Sequence, residues 1–401
     1  MLSRRAASIW IGYAFLVTMV GTTLPTPLYP IYEQRFGFGE LMVTVIFATY
    51  AVGVIAGLVL TGRLSDEIGR RRVLLFGLVC AAASTVLFLV AQDVPLLLVG
   101  RLLSGLSAGA FAGTATATLI DLAPESKRDT AAAIAVAVTL GGLGLGPLLA
   151  GALAETGTLP LRLPYWTHLA LLVPAALGVL MAPETVRVSD HPRFAPQRLA
   201  VPGEVRGTFI RAGIGGFCAF AFAGLFGSVG PSFLARFLGY PSHLLAGAMV
   251  CALFVASVLG QFAVVRVRER TALVGGDCAT VFAALLTIVA LEVESLPLLI
   301  VAGCAAGLGQ GLAMGGGVAA LAVETPPERR GEVNATFYVV LYTGLVIPVV
   351  GVGVLSQPAG LRTAGVALGA IMAVLACAAG ASLLGRREAA PSGASSPPAR
   401  S

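Results

Sequence analysis

The chain has 401 residues, 57% hydrophobic and only 11% charged, with a mean hydropathy of +0.90. Soluble domains are about 25% charged, so no water-facing surface can be assembled from this sequence and a polytopic membrane protein is implied. A net charge of +6 does not mark a nucleic-acid binder here, because the basic residues sit in short connectors. Six cysteines lie in apolar stretches without CxxC spacing, which argues against a disulfide or metal framework.

A helix needs about 20 apolar residues to cross the hydrocarbon core. On that scale twelve spans are predicted, at 8–28, 41–61, 73–91, 95–121, 131–153, 165–182, 209–230, 242–264, 272–291, 295–322, 333–355 and 361–384. The first apolar stretch, Ile9 to Leu28, is too long for a signal h-region and lacks a small-residue cleavage site. The polar stretch from Pro183 to Thr208 divides the spans six and six. The expected organisation is a helical bundle over 1–182, a linker over 183–208, a second bundle over 209–387 and a disordered tail over 388–401.

Of the 26 basic residues, Arg35, Arg162, Arg236 and Arg362 fall in outer loops and Arg101 falls within a span; the rest lie on one side. The positive-inside bias then places both termini in the cytoplasm and the chain in the inner (plasma) membrane. Residues 105–133 align without gaps on 307–335. Gly105/Gly307, Gly109/Gly311, Pro124/Pro326 and Arg128/Arg330 are among the identical pairs, so span four corresponds to span ten.

In chain order, span one ends in three prolines, with Tyr29 at the outer interface or the mouth of a cavity. Between spans two and three runs Gly62-Arg-Leu-Ser-Asp66-Glu-Ile-Gly69-Arg70-Arg71-Arg72. Gly62 and Gly69 are expected to permit a tight turn. Asp66 is expected to face helix N-termini, and Arg70 to Arg72 to meet anionic headgroups or an acid. Arg101 lies about 9 Å inside span four, where a charge costs at least ~2.5 kcal/mol and marks a pathway or a partner. Asp121, at the inner end of that span, is the expected partner of Arg70. Span five carries Gly142, Gly146, Pro147 and Gly151, small residues around a helix-bending proline. Phe217 and Phe220 in span seven, Gln310 in span ten, and Asn334, Tyr338 and Tyr342 in span eleven are candidates to line a cavity. Asp277 is the deepest acid, about six residues into span nine, and a candidate for proton exchange.

The Gly62–Arg71 segment closely resembles the signature loop G-x-L-x-D-x-x-G-[RK]-[RK] of the major facilitator superfamily. Arg101, Gly105 and Gly109 resemble the superfamily's span-four motif R-x-x-x-G-x-x-x-G, associated with proton coupling. Gly142–Gly151 resembles the G-x-x-x-G-P-x-x-G-G motif of its drug/proton exporters, with Ala150 for one glycine. The second-half copy of the loop, Gly260 to Arg270, has Val264 and Val267 where the aspartate and second glycine would stand.

The resemblance implies an all-α integral membrane fold of twelve transmembrane helices in two pseudo-symmetric six-helix bundles. It also implies a monomeric, proton-coupled exporter of amphipathic small molecules, in which Arg70 and Asp121 form a charge latch that closes the cytoplasmic gate in the outward-facing state. A sugar or metabolite transporter is the alternative within that class. A lipid-modifying membrane enzyme would need clustered Asp or His, whereas His168, His191 and His243 are scattered. No Walker loop is present, and no cofactor is expected.

Overall fold

The computed structural model describes residues 2–190 and 196–384, and its regular elements are all helical. The spanning helices are α1 Arg4–Thr23, α2 Glu40–Thr61, α3 Arg70–Val90, α4 Val94–Leu122, α5 Arg128–Glu155, α6 Leu163–Met181, α7 Arg206–Ser228, α8 His243–Val264, α9 Glu269–Glu292 and α10 Leu296–Glu324. The helical run Arg330–Leu384 breaks at Gly360, whose φ of +81° suits glycine. It therefore supplies two spans, α11 (330–359) and α12 (361–384). The proposed tail at 388–401, together with His191 and Arg193, lies outside the described residues.

Two boundaries differ from expectation for physical reasons. Span one stops at Thr23 rather than running to 28. Pro25, Pro27 and Pro30 cannot continue its hydrogen-bond ladder, so the chain re-forms as a short turn, Thr26–Leu28, and a short helix, Tyr29–Phe36. Span seven stops at Ser228, and Gly230–Arg236 forms a separate short helix.

Without a strong hydrophobic drive between helices in lipid, close backbone approach decides the packing. In the first half α2 lies on α4. A Cβ on Gly105 would meet the Tyr50 carbonyl, and one on Gly109 the Val54 carbonyl. In the second half α8 lies on α10 in the same way, with Gly307 against the Leu253 carbonyl and Gly311 against the Ser257 carbonyl. Gly105/Gly307 and Gly109/Gly311, identical between the halves, thus mark the close approach of the same helix pair in each.

The segment after α6 is held on the first half. Ser189 N–H donates to the Glu67 carbonyl at 2.9 Å and Gln197 N–H to the Val59 carbonyl at 2.8 Å. Gly105→Ala should therefore destabilise the fold by roughly 1–3 kcal/mol through overpacking, measured by unfolding in detergent micelles. Gly113→Ala, where nothing lies within 4 Å of the added carbon, should leave the midpoint unchanged.

Candidate functional site

Arg101 is fully buried in α4, and its two terminal nitrogens reach α1 and the start of the short helix Tyr29–Phe36. Nη1 donates to the Thr22 carbonyl at 2.5 Å and Nη2 donates to the Tyr29 hydroxyl. The guanidinium carbon sits 5.3, 5.9 and 5.8 Å from the ring centroids of Tyr29, Tyr50 and Phe88. Ring faces attract a cation by roughly 0.5–2 kcal/mol each, which helps to offset the cost of the buried charge. No acid pairs with it among the described residues.

Beside Thr22 and Tyr50 lies a hollow of about 60 Å³ between the two halves, walled by residues of seven spanning helices. Phe220, Phe254, Tyr342 and Phe47 give it aromatic faces, and Phe220 meets Tyr342 edge to face at 6.0 Å. Gln310 contributes its amide, whose Oε1 is buried without a hydrogen-bond partner.

The ends of the molecule differ. At the end away from the arginine-rich connectors, the halves are joined. Arg236 of the second half pairs with buried Glu33 at 3.3 Å and with Glu40, and Ser232 donates to Glu33 at 3.3 Å. Glu155 at the end of α5 accepts from the first N–H groups of α8, on His243 and Leu244, at 3.0 and 3.2 Å. A carboxylate there complements the helix dipole. Gly151 and Pro147 lie directly against the α8 backbone at His243 and Gly247, and Gly353 of α11 against Leu41 and Thr44 of α2. At the arginine-rich end, a groove of about 1110 Å³ opens along α1, α4 and α5, with Arg4, Arg5 and Lys127 on its rim.

The family model described as Major Facilitator Superfamily matches residues 11–290. The chain belongs to this superfamily. It is 24% identical to the quinolone resistance protein NorA of Staphylococcus aureus over 188 residues, 46% of this chain; the match spans about half (47%) of that relative's length. It is 34% identical to Multidrug resistance protein 3 of Bacillus subtilis over 111 residues, 28% of this chain and 22% of that protein. A bacterial homologue of the human lysosomal transporter Spinster, inward-facing and unoccupied, superposes with a TM-score of 0.71 at 16% identity, over 96% of this chain and 98% of that one. The human organic anion transporter MFSD10 gives 0.66 at 19% identity, over 96% and 100%. Both share the superfamily fold of two six-helix bundles.

Against that fold, the signature loop of the superfamily is assembled differently from expectation. Arg70 Nε lies 2.9 Å from Asp121 and Arg70 Nη2 3.4 Å from Asp66, so these three come together. All three belong to the first half. Asp66 is largely exposed, and the α3 N-terminus is faced instead by Glu184, whose oxygens accept from Arg70 and Arg71 N–H at 3.0 and 3.1 Å. Glu184 carried no sequence signal, because its role depends on the linker folding back. Gly69 has φ +99° and suits glycine; Gly62 is helical at φ −54°, so its value is small size, not turn freedom.

The glycines of α5 divide by face: Gly142 and Gly146 take α1, while Gly151 takes α8. Of the cavity candidates, Phe220, Gln310 and Tyr342 wall the hollow, while Phe217, Asn334 and Tyr338 do not. Tyr29 is not at a cavity mouth, because Arg101 draws its hydroxyl into the core of the first half. Asp277 is buried in the second half between Gly215 of α7 and Gly380 of α12, away from the hollow, with Oδ2 unpartnered. The Glu33–Arg236–Glu40 cluster and Glu155 carry no signal in the sequence, since loop charges look alike until the halves are docked.

Replacing Asp121 by Asn should free Arg70. A cysteine placed at Asp66 would then react faster with a soluble maleimide, with the level of inserted protein unchanged.

Proposed function

We propose that this protein is a proton-coupled exporter of drugs or other amphipathic small molecules, working by alternating access. Its arginine-rich end and both termini would face the cytoplasm of a cell bounded by the plasma membrane. The observation that carries the reading is the aromatic hollow between the halves, sealed on one side by contacts that join them. With the arginine-rich end inside, the groove along α1, α4 and α5 of the first half would face the cytoplasm, which supports an inward-facing reading of this state. Two bundles, 1–182 and 209–387, would rock about the hollow.

Aromatic walls suit an amphipathic substrate, and the names of the partial relatives, quinolone and multidrug resistance proteins, point the same way. Proton coupling would involve Arg101 or the buried Asp277, and the α5 glycines would let that helix roll on α8 between states. The unpartnered oxygen of Gln310 favours a substrate that also donates a hydrogen bond, and would also suit a sugar or metabolite.

In proteoliposomes, an imposed pH gradient should drive accumulation of norfloxacin or ethidium, and each substrate should release protons in return. Sugars moving while both dyes stay put would replace the drug reading with the metabolite one. Asp66→Asn should lower transport without lowering insertion. Arg236→Ala removes the half-exposed cation shared by Glu33 and Glu40, an interaction worth about 1 kcal/mol. It should raise the outward-open population roughly fivefold, read as faster labelling of a cysteine at Thr26 by an impermeant maleimide added outside.

A further inference from the structure

His168 is fully buried in α6 about 8 Å from the outer end, counted from Leu163 at 1.5 Å per residue, and none of the contacts described above uses it. An ionisable residue within a span is a functional candidate by default, and its hydrogen bonds show what it can do. Nε2 lies 3.0 Å from the Val17 carbonyl, which can only accept, so Nε2 carries a hydrogen. Nδ1 lies 2.8 Å from the Thr85 hydroxyl, and that hydroxyl also lies 2.8 Å from the Ala81 carbonyl. Thr85 has one hydrogen and two places to send it. With a neutral imidazole it donates to Nδ1. When Nδ1 gains a proton, the hydroxyl turns to Ala81 and accepts the new N–H. Neither state sets donor against donor.

The ring also borders a hollow of about 10 Å³, room for about one water. Hydroxyls of Thr18, Thr22, Ser84, Ser104 and Ser107 complete its polar wall. Thr18, Thr22, Ser84 and Ser107 donate their hydrogens to backbone carbonyls. They therefore offer only lone pairs to the hollow, a lining that suits a proton-bearing group.

We propose that His168 is a proton-binding site of the first bundle, with Thr85 as its reversible hydrogen-bond partner. The proton adds to the Nδ1 lone pair and leaves from the same atom. The titratable and charged groups on the surrounding elements are few. Tyr13 on α1 donates to the Leu171 carbonyl at 3.1 Å, and Tyr165, one turn earlier on α6, bonds Tyr32 at 3.0 Å. Cys80 lies on α3, five residues before Thr85; the remaining charges of α1, α3 and α5 are at their ends. Arg101 on α4 is linked to the same hollow through Thr22, whose carbonyl it holds and whose side chain lines the wall. A proton on His168 is thereby felt at Arg101 beside the substrate hollow, which would link protonation to occupancy.

This inference rests on the exporter reading, and the test separates the two. Proteoliposomes are assayed for norfloxacin and ethidium counterflow without a gradient and for accumulation under an imposed pH gradient. His168→Gln preserves a donor and an acceptor but cannot carry the proton; it should keep counterflow and lose gradient-driven accumulation and its pH dependence. Thr85→Val should produce the same split and Thr85→Ser should restore coupling, which keeps the test alive if His168→Gln fails to insert. Gradient-driven accumulation unchanged in His168→Gln, or in Thr85→Val, would overturn the proposal while the exporter stands. Wild-type counterflow with no response to the gradient removes proton coupling and this site together but leaves a transporter. Absence of both activities overturns the exporter reading itself.

Discussion

A hydrocarbon layer offers no hydrogen bonds, so every polar group placed within it must find its partner inside the protein. The backbone meets that demand by being helical throughout the spans, and many side chains meet it locally: buried threonines return their hydrogens to carbonyls of their own helices. Arg101 is the severe case. It has no acid to neutralise it, and instead draws together the Thr22 carbonyl, the Tyr29 hydroxyl and three ring faces. Meeting these needs pulls α1, α2, α3 and α4 onto one point and explains why Tyr29 leaves the interface for the core.

Since lipid gives helices little hydrophobic reason to associate, the two halves are organised by backbone proximity and by charge. Glycine contacts hold α2 on α4 and α8 on α10 within each half. Between the halves, close backbone approach recurs where Gly151 and Gly247 set α5 against α8, and charge adds ion pairs at Arg236 and a carboxylate at Glu155 capping a helix of the other half.

Much of this was legible in the order of residues. The number of spans, the six-plus-six division and the sidedness of the arginines follow from hydropathy and charge, because the bilayer imposes a length and an electrical asymmetry on any chain that crosses it. Arg70 with Asp121 could be read from position, since the loop between α2 and α3 is too short to reach far. Phe220, Gln310 and Tyr342 could be named as cavity candidates, but so could Phe217, Asn334 and Tyr338. Helical periodicity places a side chain on a face without saying which neighbour that face will meet.

By itself, then, the sequence determined that this is a twelve-span membrane protein of repeated halves, with a buried cation in α4 and a glycine-rich α5. Only the tertiary structure decided that Glu184 rather than Asp66 caps α3, that Arg236 closes on Glu33, and that His168 shares a hydroxyl-lined hollow with Thr22. The physical reason is one of range. Crossing a membrane is a local property of some twenty consecutive residues, whereas the partners of a buried polar group lie one or two hundred positions apart and meet only when the helices pack.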